Sequence, residues 1–401
     1  MKPPLLFLSP TAPTPRGNGL AMRAYAVLRA LSRKHAVHLL TLNHPSADPD
    51  ARSALATLCE QAAFVPIGLW SRRNEAIRGI VARWPGAYRL LFREPYEWRR
   101  VSRAGIVYPF ALRNFDVVHV FRCYMIPVLD LLASEISWRR SQLDVDDIES
   151  RTRKGLAAMH RLNGEAAAML RQEVEAEQYE RIERERLRHF DRVFAASPAD
   201  RDVLLTQGLH PSPEILPNVV EPETPKPAPR HAGLRLLFVG SLGYAPNADA
   251  VRHFCRGILP EIWKLTTGPV TFDIVGGGLP AAAAADMARI PGVRVNGWVE
   301  DLDRFYNDAS IVVVPLRAGG GTRIKILEAF ARGRPVVSTW EGMAGIEALD
   351  GIHALLADTP QAFAEACLRL GTDDSLCARV TAEAAKLVRE RHTAEVLETV
   401  L

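Results

Sequence analysis

Short, almost uninterrupted apolar runs recur along this chain with helix-period segments between them, and that alternation restricts the fold more than any other feature. LLFLSP, AVHLLTL, FDVVHVF, SQLDVDD and RVFAAS lead; LRLLFVG, TFDIVGGG, VRVNGWV, SIVVVPL, RPVVST and HALLA follow. Strands that read as nearly continuous apolar runs are buried on both faces, which indicates parallel sheets covered by helices on either side. The alternation breaks once. From Asn218 to Gly233 the chain reads NVVEPETPKPAPRHAG, and its closely spaced prolines forbid both helix and ladder pairing.

The expected architecture is therefore α/β with two doubly wound Rossmann-like domains. Residues 1–218 form the first, 219–233 the linker and 234–385 the second, with 386–401 a C-terminal segment that returns toward the first. A length of 401 residues suits two cores better than one. Hydrophobic residues at 48% and charged residues at 24% are those of an ordinary globular protein, which excludes disordered, fibrous and membrane-span classes. The apolar part of MKPPLLFLSP is too short for a signal peptide and reads as the first buried strand. The five cysteines have neither CxxC spacing nor an even count, so a disulfide framework and a zinc site are unsupported and a cytoplasmic location is expected. Glu165 to His189 is densely charged, with Glu177–Arg181 and Glu180–Arg184 at supportive i,i+4 spacing, and reads as a solvated helix on a domain edge.

The chemistry concentrates after SIVVVPL. Gly319, Gly320 and Gly321 are followed by Thr322, Arg323, Ile324, Lys325 and, further on, Glu328, which makes a strand, a glycine turn and a helix. Glycines let the backbone approach a ligand, and a helix N-terminus offers free N–H groups and partial positive charge. Arg323 and Lys325 are then cations in a first turn whose dipole opposes them, a conflict that a bound diphosphate resolves. A glycine-rich connection with two solvent-facing bases is the plain reading beside it. GK[ST] is absent, so this is no P-loop.

GGGTRIKILEAFARGRPVVST, with GWVEDLDRFYNDASIVVVPL upstream, resembles the donor-binding core of the retaining GT-B glycosyltransferases of family 4. The resemblance is greatest to the subgroup with Gly-x-Gly-Thr-Arg-x-Lys-x-Leu-Glu. LRLLFVGSLGYAPNADAVRHF, TFDIVGGG, PTPRGNG and EILPNVV resemble further elements of that family in the same order. The resemblance implies a sugar-nucleotide donor, UDP- or GDP-linked, with no cofactor and no metal. It implies that Arg323 and Lys325 hold the diphosphate as catalytic cations and that Glu328, the second acid of a Glu-x7-Glu pair, contacts the ribose. The first acid falls at Gly320 and is missing. The Arg and Lys of many members are likewise absent from Gly240, Ser241, Leu242, Gly243 and Tyr244, where the donor-binding backbone is expected. Trp298 and Val299 match the segment that packs against the nucleobase, and Gly319, Gly320, Gly321 and Thr322 complete the donor set.

In the first domain, Gly17, Asn18 and Gly19 match a loop under the donor phosphates; a simple turn accounts for them equally well. Asp146, in LDVDD, stands where many relatives carry a His near the anomeric carbon, and a capping role at a strand end is as well supported. His119 is read as a satisfied strand histidine. From Trp70 to Arg103, Arg72, Arg73, Arg78, Arg83, Arg89, Arg93, Arg99 and Arg100 interleave with Trp84, Tyr88, Phe92, Tyr96 and Trp98. That suits a lipid-linked acceptor or an anionic inner-membrane face, and ordinary arginine-covered helices equally. Nucleic acid is not expected, since no reader fold accompanies the patch. The expected reaction is transfer of a sugar to a hydroxyl acceptor with retention, in bacterial-type polysaccharide or glycolipid assembly. A catalytically silent sugar-nucleotide-binding assembly subunit, or a sugar-nucleotide epimerase on the same fold, is the alternative. The C-terminal helical pattern, Thr381 to Glu390, is short, with His392 and Thr393 near the crossing.

Overall fold

The computed structural model describes residues 2–43, 55–66, 81, 84–102, 106–224, 228–229 and 231–401. The chain divides into two compact units, Met1–Pro217 together with Leu397–Leu401, and Asn218–Val396.

In the first unit the strands are β1 (Pro4–Ser9), β2 (Ala36–Asn43), β3 (Gln61–Pro66), β4 (Asn114–Phe121), β5 (Ser137–Asp146), β6 (Arg192–Ala195) and β7 (Glu214–Ile215). They form one parallel sheet in the order β3-β2-β1-β4-β5-β6-β7. The second unit has β8 (Leu234–Val239), β9 (Val270–Val275), β10 (Val293–Gly297), β11 (Ile311–Val314), β12 (Val336–Ser338) and β13 (Leu355–Leu356). Its sheet is also parallel, in the order β10-β9-β8-β11-β12-β13. Each sheet reverses direction beside its first strand, between β1 and β4 and between β8 and β11. In doubly wound sheets ligands bind at the carboxyl ends of the strands next to such a reversal.

The continuous apolar runs are buried as their composition requires: Leu5, Leu6, Phe7 and Leu8 of β1, and Ile311 to Val314 of β11, are fully inaccessible. Asn218–Gly233 contains neither helix nor strand among its described residues. The C-terminal helical pattern is longer than expected. One helix runs Asp374–Arg391, His392 and Thr393 are buried behind it, and a last helix, Ala394–Val400, follows. Within the first unit, Glu398 pairs with Arg33 at 2.5 Å and Arg192 donates to the Val400 carbonyl at 2.7 Å.

The charged helix, Ala166–Arg186, is not simply a solvated edge. Val174, Glu175, Gln178, Tyr179, Ile182 and Glu183 are buried. The expected i,i+4 pairs give way to partners on other elements: Glu177 pairs with Arg89, and Glu180 with Lys154. The helix lies against Glu149–Leu162, which supplies Lys154 to Glu180, while Arg89 of the helix Pro85–Leu91 reaches Glu177.

Candidate functional site

The glycine turn stands at the carboxyl end of β11. Gly319 and Gly321 take left-handed φ of 142° and 63°, which L side chains rarely adopt. The helix begins only at Ile324 and runs to Ala331, burying Ile326, Leu327, Ala329 and Phe330 against the sheet. Arg323 is thus the N-cap, and its guanidinium does not face outward as a free cation. Nη1 donates to the carbonyls of Gly320, at 2.6 Å, and Gly321. Nη2 donates to the Glu341 carbonyl at 3.0 Å and its carboxylate at 3.2 Å. The conflict with the helix dipole is therefore met partly inside the protein, and Arg323 shapes the turn.

Lys325 is different. It is half-buried, its Nζ donates to Asn247 Oδ1 at 2.7 Å and it lies 4.2 Å from the centre of the Phe238 ring. Burial first, and the nearby Arg323 charge second, pull its amine down to about 7 from an ordinary 10.5, with Glu328 opposing. Gly240 makes room for it, since a Cβ there would fall 2.6 Å from Nζ. Glu328, also half-buried, accepts from the Tyr306 hydroxyl at 3.2 Å through Oε2. Burial raises its carboxyl above the usual range, against the pull of Arg332, the Tyr306 bond and Lys325.

The other residues expected to bind the donor lie past neighbouring strand ends. Gly240, Ser241 and Gly243 follow β8, and Trp298 and Val299 follow β10. Trp298 is 73% exposed, free to stack on a ligand, while Val299 packs on the core. A second triple glycine, Gly276 to Gly278, follows β9. A Cβ on Gly276 would sit 1.9 Å from the Gly240 carbonyl oxygen, and Leu242 N–H donates to Gly277 O at 2.7 Å. The loops after β8 and β9 therefore touch backbone to backbone. Sequence reasoning also missed Asn247, which ties Lys325 to the β8 loop, and the Arg317–Asp249 pair at 2.6 Å, which ties that loop's helix to the glycine turn. The signal for Asn247 was its place just inside the helix that follows the Gly240–Tyr244 loop.

In the first unit, Asn18 caps the helix Gly19–Lys34 by accepting from Ala21 N–H at 3.0 Å, so the turn reading of Gly17, Asn18 and Gly19 has a physical basis of its own. His119 is buried between Phe7 and Phe194 with Nδ1 3.0 Å from Gln142 Oε1, and burial lowers its basicity, as a strand histidine's would be. Asp146 sits at the end of β5 in an ionic knot. Arg122 Nη1 donates to it at 2.8 Å and also pairs with Asp147 at 2.9 Å, while Nη2 reaches Glu149 at 2.5 Å. Arg23 forks onto Asp144 at 2.7 and 3.0 Å and lies 3.4 Å from Asp146. Arg122 and Asp146 both have positive φ, 75° and 53°, the only described non-glycine residues that do. Such strain gathers at functional sites. Burial and the Asp147 charge push the Asp146 carboxyl up to about 7 against both arginines. The carboxylates of Asp144, Asp146 and Asp147 are thus engaged by arginine.

Of the basic, aromatic segment, Trp70, Arg72, Arg73, Arg78, Arg83 and Arg103 lie outside the described residues. Trp84, Leu90 and Leu91 are 60%, 64% and 58% exposed, and Arg89 is engaged by Glu177. Among the described residues no helix is long and apolar enough to cross a membrane.

Residues 233–373 match the family model described as Glycosyl transferases group 1. No curated protein matches the chain. Solved structures of similar fold include sucrose-phosphate synthase from Thermosynechococcus elongatus, 16% identical over 100% of this chain and 97% of that one, with a TM-score of 0.66. Anabaena HepE in complex with UDP and glucose is 14% identical over 99% and 97%, with a TM-score of 0.63. An S. aureus TarM variant in complex with fondaparinux, alpha-GlcNAc-glycerol and UDP is 10% identical over 99% and 99%, with a TM-score of 0.64. A glycosyl transferase group 1 domain, set in a two-domain Rossmann-like chain of GT-B fold, makes this protein a glycosyltransferase.

Proposed function

We propose that the protein moves a sugar from a nucleoside-diphosphate sugar, UDP- or GDP-linked, to a hydroxyl acceptor with retention of configuration and without a metal, as a transferase of family 4. The observation that carries this reading is Lys325: an amine at the carboxyl edge of a Rossmann-like sheet, beside a glycine turn and a helix N-terminus, with a neutral amide as its hydrogen-bond partner and, among the described residues, no ion pair. Cleavage of the sugar–phosphate bond leaves extra negative charge on the departing diphosphate. A cation and backbone N–H groups aimed at that charge lower the barrier without a protein nucleophile. Arg323 acts by holding the turn open through the Gly320 and Gly321 carbonyls, and Glu328 offers Oε1 to the ribose hydroxyls while Tyr306 holds Oε2. Asp146, held in the knot, serves the acceptor side. The HepE and TarM complexes with UDP support the donor class as analogy of fold.

The acceptor is a saccharide or lipid-linked saccharide of a bacterial-type polysaccharide or glycolipid. The enzyme works in the cytoplasm, docked on an anionic membrane face through the surface that includes Trp84, Leu90 and Leu91. A thermal-shift screen of nucleoside diphosphates and their sugars, followed by transfer assays, tests the donor class. Lys325→Ala is expected to retain less than about a tenth of wild-type turnover, a loss above ~1.4 kcal/mol, with the protein folded. A folded variant faster than that removes Lys325 from the mechanism.

A further inference from the structure

Among the described residues no carboxylate forms an ion pair with Lys325. The charged groups that face it are Arg323 from its own turn, which works against its charge, and Glu328 one helical turn on, which favours it. From the β8 side come the Phe238 ring and the Gly240 backbone. From the helix Ala245–His253 comes Asn247, 8% exposed, whose Oδ1 accepts from Nζ at 2.7 Å. The other end of the same amide donates from Nδ2 to the Ser241 carbonyl at 2.8 Å. A carbonyl only accepts, so the Ser241 bond fixes which way the amide points and leaves its oxygen aimed at the amine. Asn247 thus places the amine without cancelling its charge. An aspartate of nearly the same shape would cancel it.

Resting on the donor class proposed above, we infer that Asn247 is a positioning residue that keeps Lys325 without a protein counterion, so that the donor diphosphate fills that role and draws a proton onto the amine as it binds. The depressed basicity of Lys325 agrees with this, because an amine near 7 is largely neutral in the free protein at slightly alkaline pH. A bound polyanion favours the charged form. Proton uptake through Glu328 is a separate route, and the Asn247→Asp variant distinguishes the two: it removes uptake at Lys325 and leaves any uptake at Glu328.

Two measurements on the full chain test the proposal. In the free protein, the pH dependence of Lys325 acetylation by acetic anhydride, read by mass spectrometry, is expected to show a midpoint near neutrality. Asn247→Asp moves it up by roughly two units, and Asn247→Ala, checked for folding by circular dichroism, leaves it level or lower. In the second, UDP and GDP are titrated calorimetrically at about pH 7.5 in buffers of different ionisation enthalpy. The wild type is expected to take up about half a proton or more per nucleotide. Asn247→Asp is expected to take up almost none and to bind roughly tenfold more weakly. A midpoint and an uptake that are the same in Asn247→Asp as in the wild type overturn the assignment. If the midpoint shifts as expected but neither nucleotide binds the wild type, the charge-setting role of Asn247 stands and the nucleotide reading fails.

Discussion

The carboxyl edges of the two sheets solve the same electrostatic problem in opposite ways. Both sheets share the same strand order from their first strands outward, and both gather charge beside the reversal. At the β4–β5 edge the charges answer one another: Arg23 and Arg122 are met by Asp144, Asp146, Asp147 and Glu149, and the chain of pairs continues from Glu149 to Arg153 and Glu175. At the β8–β11 edge Arg317 pairs with Asp249 and Arg323 with Glu341, but Lys325 has an amide for a partner. A closed ionic cluster holds its own groups rigidly. An amine beside a neutral amide holds charge that its surroundings do not answer, and the proposed donor role of Lys325 rests on that contrast.

The largest expected effect tests the closed edge. Arg122→Ala leaves three carboxylates without their shared cation and should cost about 3–5 kcal/mol, read as a lower denaturant midpoint. An unchanged midpoint would show that the knot is not closed. Next, Lys325→Met should lower turnover at least about a hundredfold, near 2.7 kcal/mol, while the protein melts no lower than wild type, because a charge without a counterion is removed. A lower melting temperature would mean that the amine stabilises the fold.

The pH dependence of stability sharpens the same contrast. The folded amine of Lys325 lies near 7 against 10.5, so between those values the unfolded chain binds the extra proton. Its burial therefore costs stability below about pH 7, and stability rises with pH across the window from 7 to 10.5, by at most about 1.4 kcal/mol per unit. Wild type minus Lys325→Met isolates this slope, and a flat difference would remove the claim. The smallest effect belongs to Asn18→Ala, which loses the helix cap and should cost about 1 kcal/mol whether or not nucleotide is present. A stability loss that grows with bound nucleotide would move Asn18 from cap to ligand contact.

The strands, the proline-rich break and the glycine turn were legible because each is written in consecutive residues. The geometry of the site was not. Arg323 turns back because Glu341, 18 residues on, offers it two oxygens, and no local pattern encodes that choice. Asn247 meets Lys325 across 78 positions, and Arg23 meets Asp144 across 121. The charged helix misled for a related reason. Spacing along one helix finds neighbours on that helix, whereas Glu177 and Glu180 are satisfied by Arg89 and Lys154 on other segments.

The contact between Gly240 and Gly276 has a consequence for how this protein can change. The loops after β8 and β9 meet through main-chain atoms, with no room for a side chain at either position. Their spacing is therefore inherited from the twist of β8 and β9 rather than chosen by any side chain. Tyr244, Trp298 and Trp340 are 42%, 73% and 59% exposed past the ends of β8, β10 and β12, so change on this side of the sheet falls on side chains, while the Gly240–Gly276 contact stays with the main chain.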